Sequence, residues 1–201
     1  MPLNSITAQD TSSPIPADEQ LAQAIQQGHT ESLAALVERH HAPLMGFLYR
    51  ITGGDRVLAK DLAQETFLRA LRAMSRGQYR YPRPFKPWLY AIAVNLARDH
   101  YKQAETRRTD SASDDEAVWE AAVGAETTQP ETRLLSQAEA QQVADAVMAL
   151  PLHQREAVIL RYCQDLSLAE IAEALNVPVG TVKSRLSLGL RRLREMMTRV
   201  E

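Results

Sequence analysis

Residues Leu166–Arg194 read LSLAEIAEALNVPVGTVKSRLSLGLRRLR, two helices joined by a tight turn. In the first helix Leu168, Ile171, Ala172 and Leu175 recur at steps of three and four, which marks one apolar face. Ser167 followed by Glu170 is a capping-box pattern, so the helix is predicted to start there. Asn176 tolerates the left-handed backbone that ends a helix, and Pro178 suits the start of the next. In the second helix Val182, Leu186, Leu190, Leu193 and Met197 are predicted to face inward. Ala169 and Gly180 are small where two crossing helices are expected to approach. The pattern is a helix-turn-helix, a unit that sets its second helix in the major groove of DNA. From Val179 onward Lys183, Arg185, Arg191, Arg192, Arg194 and Arg199 outnumber Glu195 and Glu201. Such an excess is what phosphate contact requires, although an ordinary solvated basic face has the same composition.

Outside this stretch the chain also reads as helical. Its 201 residues include only 8 glycines and 5% aromatics, and they allow one or two small domains. The formal charge of −2 says nothing about nucleic acid until its distribution is read. One cysteine, Cys163, excludes an internal disulfide, and no Cys/His set has zinc-ligand spacing, so neither metal nor cofactor is expected. The adjacent His40 and His41 diverge on a helix and do not make a metal pair. Without a signal-peptide pattern or a membrane-length apolar run, the chain is expected to be soluble and cytoplasmic.

Residues 1–16 are polar and are expected to form a disordered tail. Leu21, Ile25, Leu33, Leu36 and Val37 suggest two helices broken at Gly28, with the apolar face continuing through Leu44, Phe47, Leu48 and Ile51 to Gly53–Gly54. Asp55 opens a helix whose expected core stripe is Val57, Leu58, Leu62, Phe67, Leu68 and Leu71. Asp61, Gln64, Glu65 and Arg69 form a polar stripe on it, by default a solvated face. The segment SRGQYRYPRPFKP, residues 75–87, has three prolines and is read as a loop. It interleaves Arg76, Arg80, Arg83 and Lys86 with Tyr79, Tyr81 and Phe85. Cations follow a phosphate backbone and flat rings stack on unpaired bases, but the same residues could form a lid over a core.

A helix is expected again over Trp88–Lys102, with Trp88, Leu89, Ile92, Ala93 and Leu96 inward and Asn95, Arg98 and Lys102 outward. Between Lys60 and Lys102 nine Lys/Arg stand against three Asp/Glu, about +6. Sign then reverses over Glu105–Glu139, an acidic Ser/Thr/Ala/Gln-rich stretch read as a flexible linker, with Val118, Trp119 and Val123 as a possible docking segment. The fold class is therefore all-α: two small helical domains on a flexible acidic tether, expected to move independently, the C-terminal one a helix-turn-helix.

Four stretches in order carry a resemblance. DLAQETFLRAL (Asp61–Leu71), WLYAIAVNLARDHYK (Trp88–Lys102), LPLHQREAVILRY (Leu150–Tyr162) and the helix-turn-helix resemble the bacterial extracytoplasmic-function (ECF) sigma factors of RNA polymerase, of the sigma-70 family. The resemblance implies the family's second sigma domain over residues 17–106, a linker over 107–135 and its fourth domain over 136–201. It implies that Asp61, Gln64, Glu65 and Phe67 bind core RNA polymerase, whose β and β′ subunits are the expected partners. Arg80, Tyr81, Arg83, Phe85, Lys86, Asn95, Arg98 and Lys102 would melt and read the minus-10 element of promoter DNA. Thr181, Lys183, Ser184, Arg185, Arg191 and Arg192 would read the minus-35 duplex. An anti-sigma factor is the implied regulator, with no membrane insertion by the chain itself and no catalytic residue. The proline-rich loop departs from the family pattern, so its base preference does not transfer. A dimeric helix-turn-helix regulator would explain the C-terminal part but leaves the aromatic-basic loop unused. An enzyme finds no support in any nucleotide, metalloprotease or nucleophile motif.

Overall fold

The computed structural model describes residues 16–110 and 140–198. Residues 1–15 of the expected N-terminal tail, most of the acidic linker with its Trp119 segment, and Arg199 lie outside the described residues. Among those described there are eight helices and no strand.

α1 (Asp18–Gln26) carries Asp18 and Glu19 in its first turn, where carboxylates complement the helix dipole. It ends at Gly28, which takes a φ of +101°. α2 (Ser32–Ile51) runs to the expected stop, where Gly53 and Gly54 both have positive φ. The Asp55 carboxylate then accepts the Leu58 N–H at 2.9 Å and starts α3 (Arg56–Ser75).

The buried face of α3 is Ala59, Leu62, Ala63, Thr66, Phe67, Ala70 and Met74. Two members of the expected stripe, Val57 and Leu68, instead face solvent at 73% and 46% exposure. Alanines hold the inward positions because α3 is packed between α2 and α4 (Phe85–Asp110), where small side chains let backbones approach.

The loop before α4 folds onto the core. Tyr79 is buried, packs edge-on against Trp88 with ring centroids 5.0 Å apart, and donates its hydroxyl to the Arg83 carbonyl. Burial pushes its pKa up to about 12. α1 fixes this loop from below: Gln26 Nε2 donates to the Tyr79 carbonyl at 2.5 Å, and Glu19 Oε1 accepts the Phe85 N–H at 2.9 Å. α4 thus starts three residues before the expected Trp88, with Pro87 tolerated in its first turn.

In the C-terminal half, α5 spans 140–148, and α6 (Leu152–Tyr162) follows Pro151. α7 (Leu168–Leu175) has the predicted capping box. Ser167 Oγ accepts the Glu170 N–H at 3.2 Å, and Glu170 Oε2 accepts the Ser167 N–H at 2.8 Å. The Ser167 side chain is the main cause that holds the Glu170 carboxyl below its ordinary pKa, with the bond from the Ser167 N–H adding to it. Asn176 is left-handed, at φ 53° and ψ 51°, as expected, and α8 (Val179–Met197) follows.

The close approach falls elsewhere than expected. Ala169 and Gly180 are exposed, and a Cβ at Gly180 would meet nothing within 4 Å. Gly189 is the buried glycine, where a Cβ would stand 3.0 Å from Val158 Cγ2 of α6. Leu190 is accordingly turned outward, and Leu193 and Met196 complete the apolar face.

In the structure the two halves are packed together. One continuous apolar core runs through both. α2 and α4 from the first half meet α6 and α7 from the second. Among the described residues no helix is long and apolar enough to cross a membrane.

Candidate nucleic-acid interface

Three surfaces carry the residues singled out in the sequence, and their chemistry differs. The first is the outward face of α3. Asp61 and Gln64 are exposed, and Glu65 is half-buried and pairs with Arg69 at 2.8 Å. Phe67 does not belong to this face. It is 8% exposed and packs into the core, because it stands at the inward positions set by Ala63 and Ala70. Leu68 takes the outward place, so Asp61, Gln64, Glu65 and Leu68 occur at i, i+3, i+4 and i+7 on one stripe, with Val57 one turn earlier. Acidic and apolar groups mixed in this way repel phosphate and suit a protein partner. The signal for Leu68 was present in its seven-residue spacing from Asp61.

The second surface is the loop and the adjoining face of α4. Arg80 and Tyr81 are exposed, and Asn95 and Lys102 point outward as predicted. Phe85 does not. At 1% exposure it is held between Tyr79, Trp88 and His40, so it cannot stack on a base while the fold is intact. The lid reading therefore describes Tyr79 and Phe85, and Tyr81 is the ring left at the surface. Arg83, Lys86 and Arg98 are half-buried because acceptors of the C-terminal half meet them. Arg83 pairs with Glu173, and Lys86 Nζ donates to the Gln164 carbonyl at 2.7 Å. Arg98 makes a two-pronged pair with Glu156 at 2.7 and 2.5 Å. Glu156 was missed in the sequence reading. A carboxylate in the apolar run of LPLHQREAVIL is the one cue that it needs a buried partner.

The third surface is α8, 19 residues long, or about 28 Å, enough to lie along a major groove. Lys183 and Ser184 are exposed and Thr181 is half-buried, while the Ser184 hydroxyl donates to the Thr181 carbonyl at 2.9 Å. Arg185 is half-buried, and its Nη1 has no protein partner. Arg191 lies 3.8 Å from Glu195, and Arg192 donates to Gln154 Oε1 at 3.2 Å, which ties α8 to α6. A cleft of about 680 Å³ lies between the end of α2, α5, α6 and α8, with Val143, Met148, Tyr162 and Leu190 in its wall. Its lining is mainly apolar.

Residues 36–107 match the model for Sigma-70 region 2, and residues 140–193 match that for Sigma-70, region 4. The ECF RNA polymerase sigma factor SigW of Bacillus subtilis (strain 168) is 30% identical over 181 residues, 86% of this chain and 92% of that protein. The ECF RNA polymerase sigma-E factor of Escherichia coli (strain K12) is 36% identical over 174 residues, 84% and 88% of the two chains. Among solved structures, CnrH in complex with the cytosolic domain of CnrY matches with a TM-score of 0.67 at 24% identity, over 92% of this chain and all of that one. RpoE from Bartonella quintana, in complex with the anti-sigma factor NepR, matches at 0.62 and 24%, over 82% and 96%. The two structures share the helical fold, and the sequence relatives, matched along most of their length, decide the family: the chain belongs to the ECF RNA polymerase sigma factors.

Proposed function

We propose that this sigma factor binds core RNA polymerase, through its β and β′ subunits, and directs initiation at a specific set of promoters. The observation that carries the reading is the pair of sigma regions, in order, along the chain. The acidic and apolar stripe of Asp61, Gln64, Glu65 and Leu68 suits a polymerase surface. The loop and α4 suit a melted minus-10 strand: Tyr81 stacks on a base, Asn95 bonds a base edge, and Arg80, Arg83, Lys86, Arg98 and Lys102 hold phosphates. On α8, Arg185 reads a base edge of the minus-35 duplex, with Thr181, Lys183 and Ser184 beside it and Arg191 and Arg192 on phosphates. The corresponding domains are 17–106 and 136–201, joined by the linker 107–135, whose first residues, 107–110, continue α4.

The protein works in the cytoplasm beside polymerase and performs no reaction of its own, since its family consists of initiation factors. An anti-sigma factor controls it, in keeping with the complexes in which its structural neighbours were captured. Run-off transcription from a genomic promoter library, with core enzyme alone and with the protein added, tests the reading. New, discrete start sites are expected on addition, and identical transcript profiles would overturn it.

A further inference from the structure

The outward face of α8 carries a large apolar side chain among its polar and basic ones. Leu188 is 38% exposed and stands about 200° round the helix from the buried Leu186, in the middle of that face. Thr181, Ser184 and Arg185 precede it by seven, four and three residues and Arg191 follows by three, so all five share one stripe. Leu190 is as exposed, at 37%, but it borders the buried face and lines the cleft against α5 and α6. Leu188 is neither in the wall of that cleft nor packed on the core. One turn before it, the Ser184 hydroxyl donates to the Thr181 carbonyl, so its proton is committed to the helix itself. One to two turns after it, Arg191 lies 3.8 Å from Glu195, a carboxylate that DNA phosphates repel. The base-facing stretch therefore closes soon after Leu188. A leucine neither donates nor accepts a hydrogen bond. Against the polar edges of guanine, adenine or cytosine it would displace water and return nothing, which is costly. The 5-methyl of thymine is the apolar feature that the major groove offers.

We infer that Leu188 selects thymine in the minus-35 duplex, through contact between its side chain and the 5-methyl group. The inference rests on the assignment of α8 to that duplex. It gives the helix two kinds of reader: Arg185 takes a hydrogen-bonding base edge, and Leu188 takes a methyl group that no cation can recognise. Arg191 and Arg192 then hold the phosphates that keep both readers in register. Removing one methyl-sized group from water is worth about fourfold in affinity, which sets the size of the effect to be measured.

The test uses holoenzyme assembled from the full chain and core RNA polymerase. Duplexes that it binds are selected from a randomised pool, and the enriched upstream element is made again with each thymine in turn replaced by uracil. Uracil keeps the hydrogen-bonding groups of thymine and lacks only the methyl. At one position of the element the replacement should weaken binding by the unaltered protein about fourfold. Leu188→Ala, too short to reach the groove floor, should bind the thymine and uracil forms equally. Leu188→Arg should move the enriched base at that position from thymine to guanine, whose O6 and N7 accept from an arginine. Because that variant must gain a preference, it guards against a Leu188→Ala chain that merely binds poorly. Equal binding of the thymine and uracil forms by the unaltered protein, or an undiminished methyl effect in Leu188→Ala, overturns the inference. A pool in which no upstream element is enriched overturns the assignment of α8 to the duplex itself, a result distinct from an enriched element that is blind to the methyl.

Discussion

The same substitution at two glycines of α8 should change stability in opposite directions. In Gly189→Ala the new methyl would lie 3.0 Å from Val158 Cγ2 and 3.5 Å from Gln154 Cβ. Carbon atoms prefer about 3.5–4.0 Å, so the first contact is repulsive. Val158 is buried and β-branched, with little freedom to rotate away, and α8 must lift from α6 instead. Overpacking of this kind costs about 1–3 kcal/mol, against a gain of roughly 1 kcal/mol for replacing glycine inside a helix. Gly189→Ala should therefore destabilise by up to about 2 kcal/mol on these two terms. At Gly180 no atom lies within 4 Å, so only the helix gain remains, up to about 1 kcal/mol. Urea unfolding of the full chain would report both values, with equal slopes confirming that the extent of unfolding is unchanged. The Arg192–Gln154 bond at the same junction should weaken in Gly189→Ala alone. If that variant proves as stable as Gly180→Ala, the close approach of α6 and α8 does not set the position of the recognition helix.

Four further outcomes are expected. Leu68→Glu should weaken core-polymerase binding in a titration while melting is unchanged, whereas Phe67→Ala should lose about 3–5 kcal/mol of stability as a core truncation. Tyr81→Ala should impair permanganate-detected promoter melting with the fold intact, and Phe85→Ala should instead unfold the N-terminal half at lower urea. Arg185→Ala should cost about 1–3 kcal/mol in binding a minus-35 duplex and relax its sequence preference, as measured by competition between duplexes. Glu170 has a folded-state pKa below its unfolded value, so it stabilises the fold above the unfolded pKa and loses that contribution as pH falls through the folded one. Glu170→Gln should therefore lower stability at neutral pH and make little difference in acid below the folded pKa, as acid titration of the urea midpoint would show.

The helix-turn-helix was legible almost residue by residue because its signals are local: the Ser167–Glu170 box, the left-handed Asn176 and the three- and four-residue periodicity. Helix existence elsewhere was legible for the same reason. Which residues face the core was less so, as α3 shows. A stripe chosen by side-chain size selected Val57 and Leu68, while the true inward face is built on Ala59, Ala63 and Ala70, whose smallness counts only once two neighbouring helices are in place. Gly189 escaped notice likewise, since the atom it makes room for belongs to α6. The aromatic-basic loop divided into buried Tyr79 and Phe85 and exposed Tyr81, a choice set by α1, some sixty residues away. The pairing of Arg98 with Glu156 could not be read at all, because no local pattern links residues on separate halves of the chain.

The anchoring of the loop by α1 has a consequence in time. Glu19 and the Phe85 N–H it accepts are 66 residues apart in sequence. At a synthesis rate of roughly 5–20 residues per second, α1 waits on the order of 3–13 seconds on the ribosome for this partner. Leu21 and Ile25, its apolar face, are shielded during that interval only by whatever part of α2 and α3 has already emerged. Glu156 and Glu173 are made after Arg83 and Arg98, so a nascent chain passes through a stage at which both arginines lack these partners. The junction between the halves is thus the last part of the fold that a growing chain can complete.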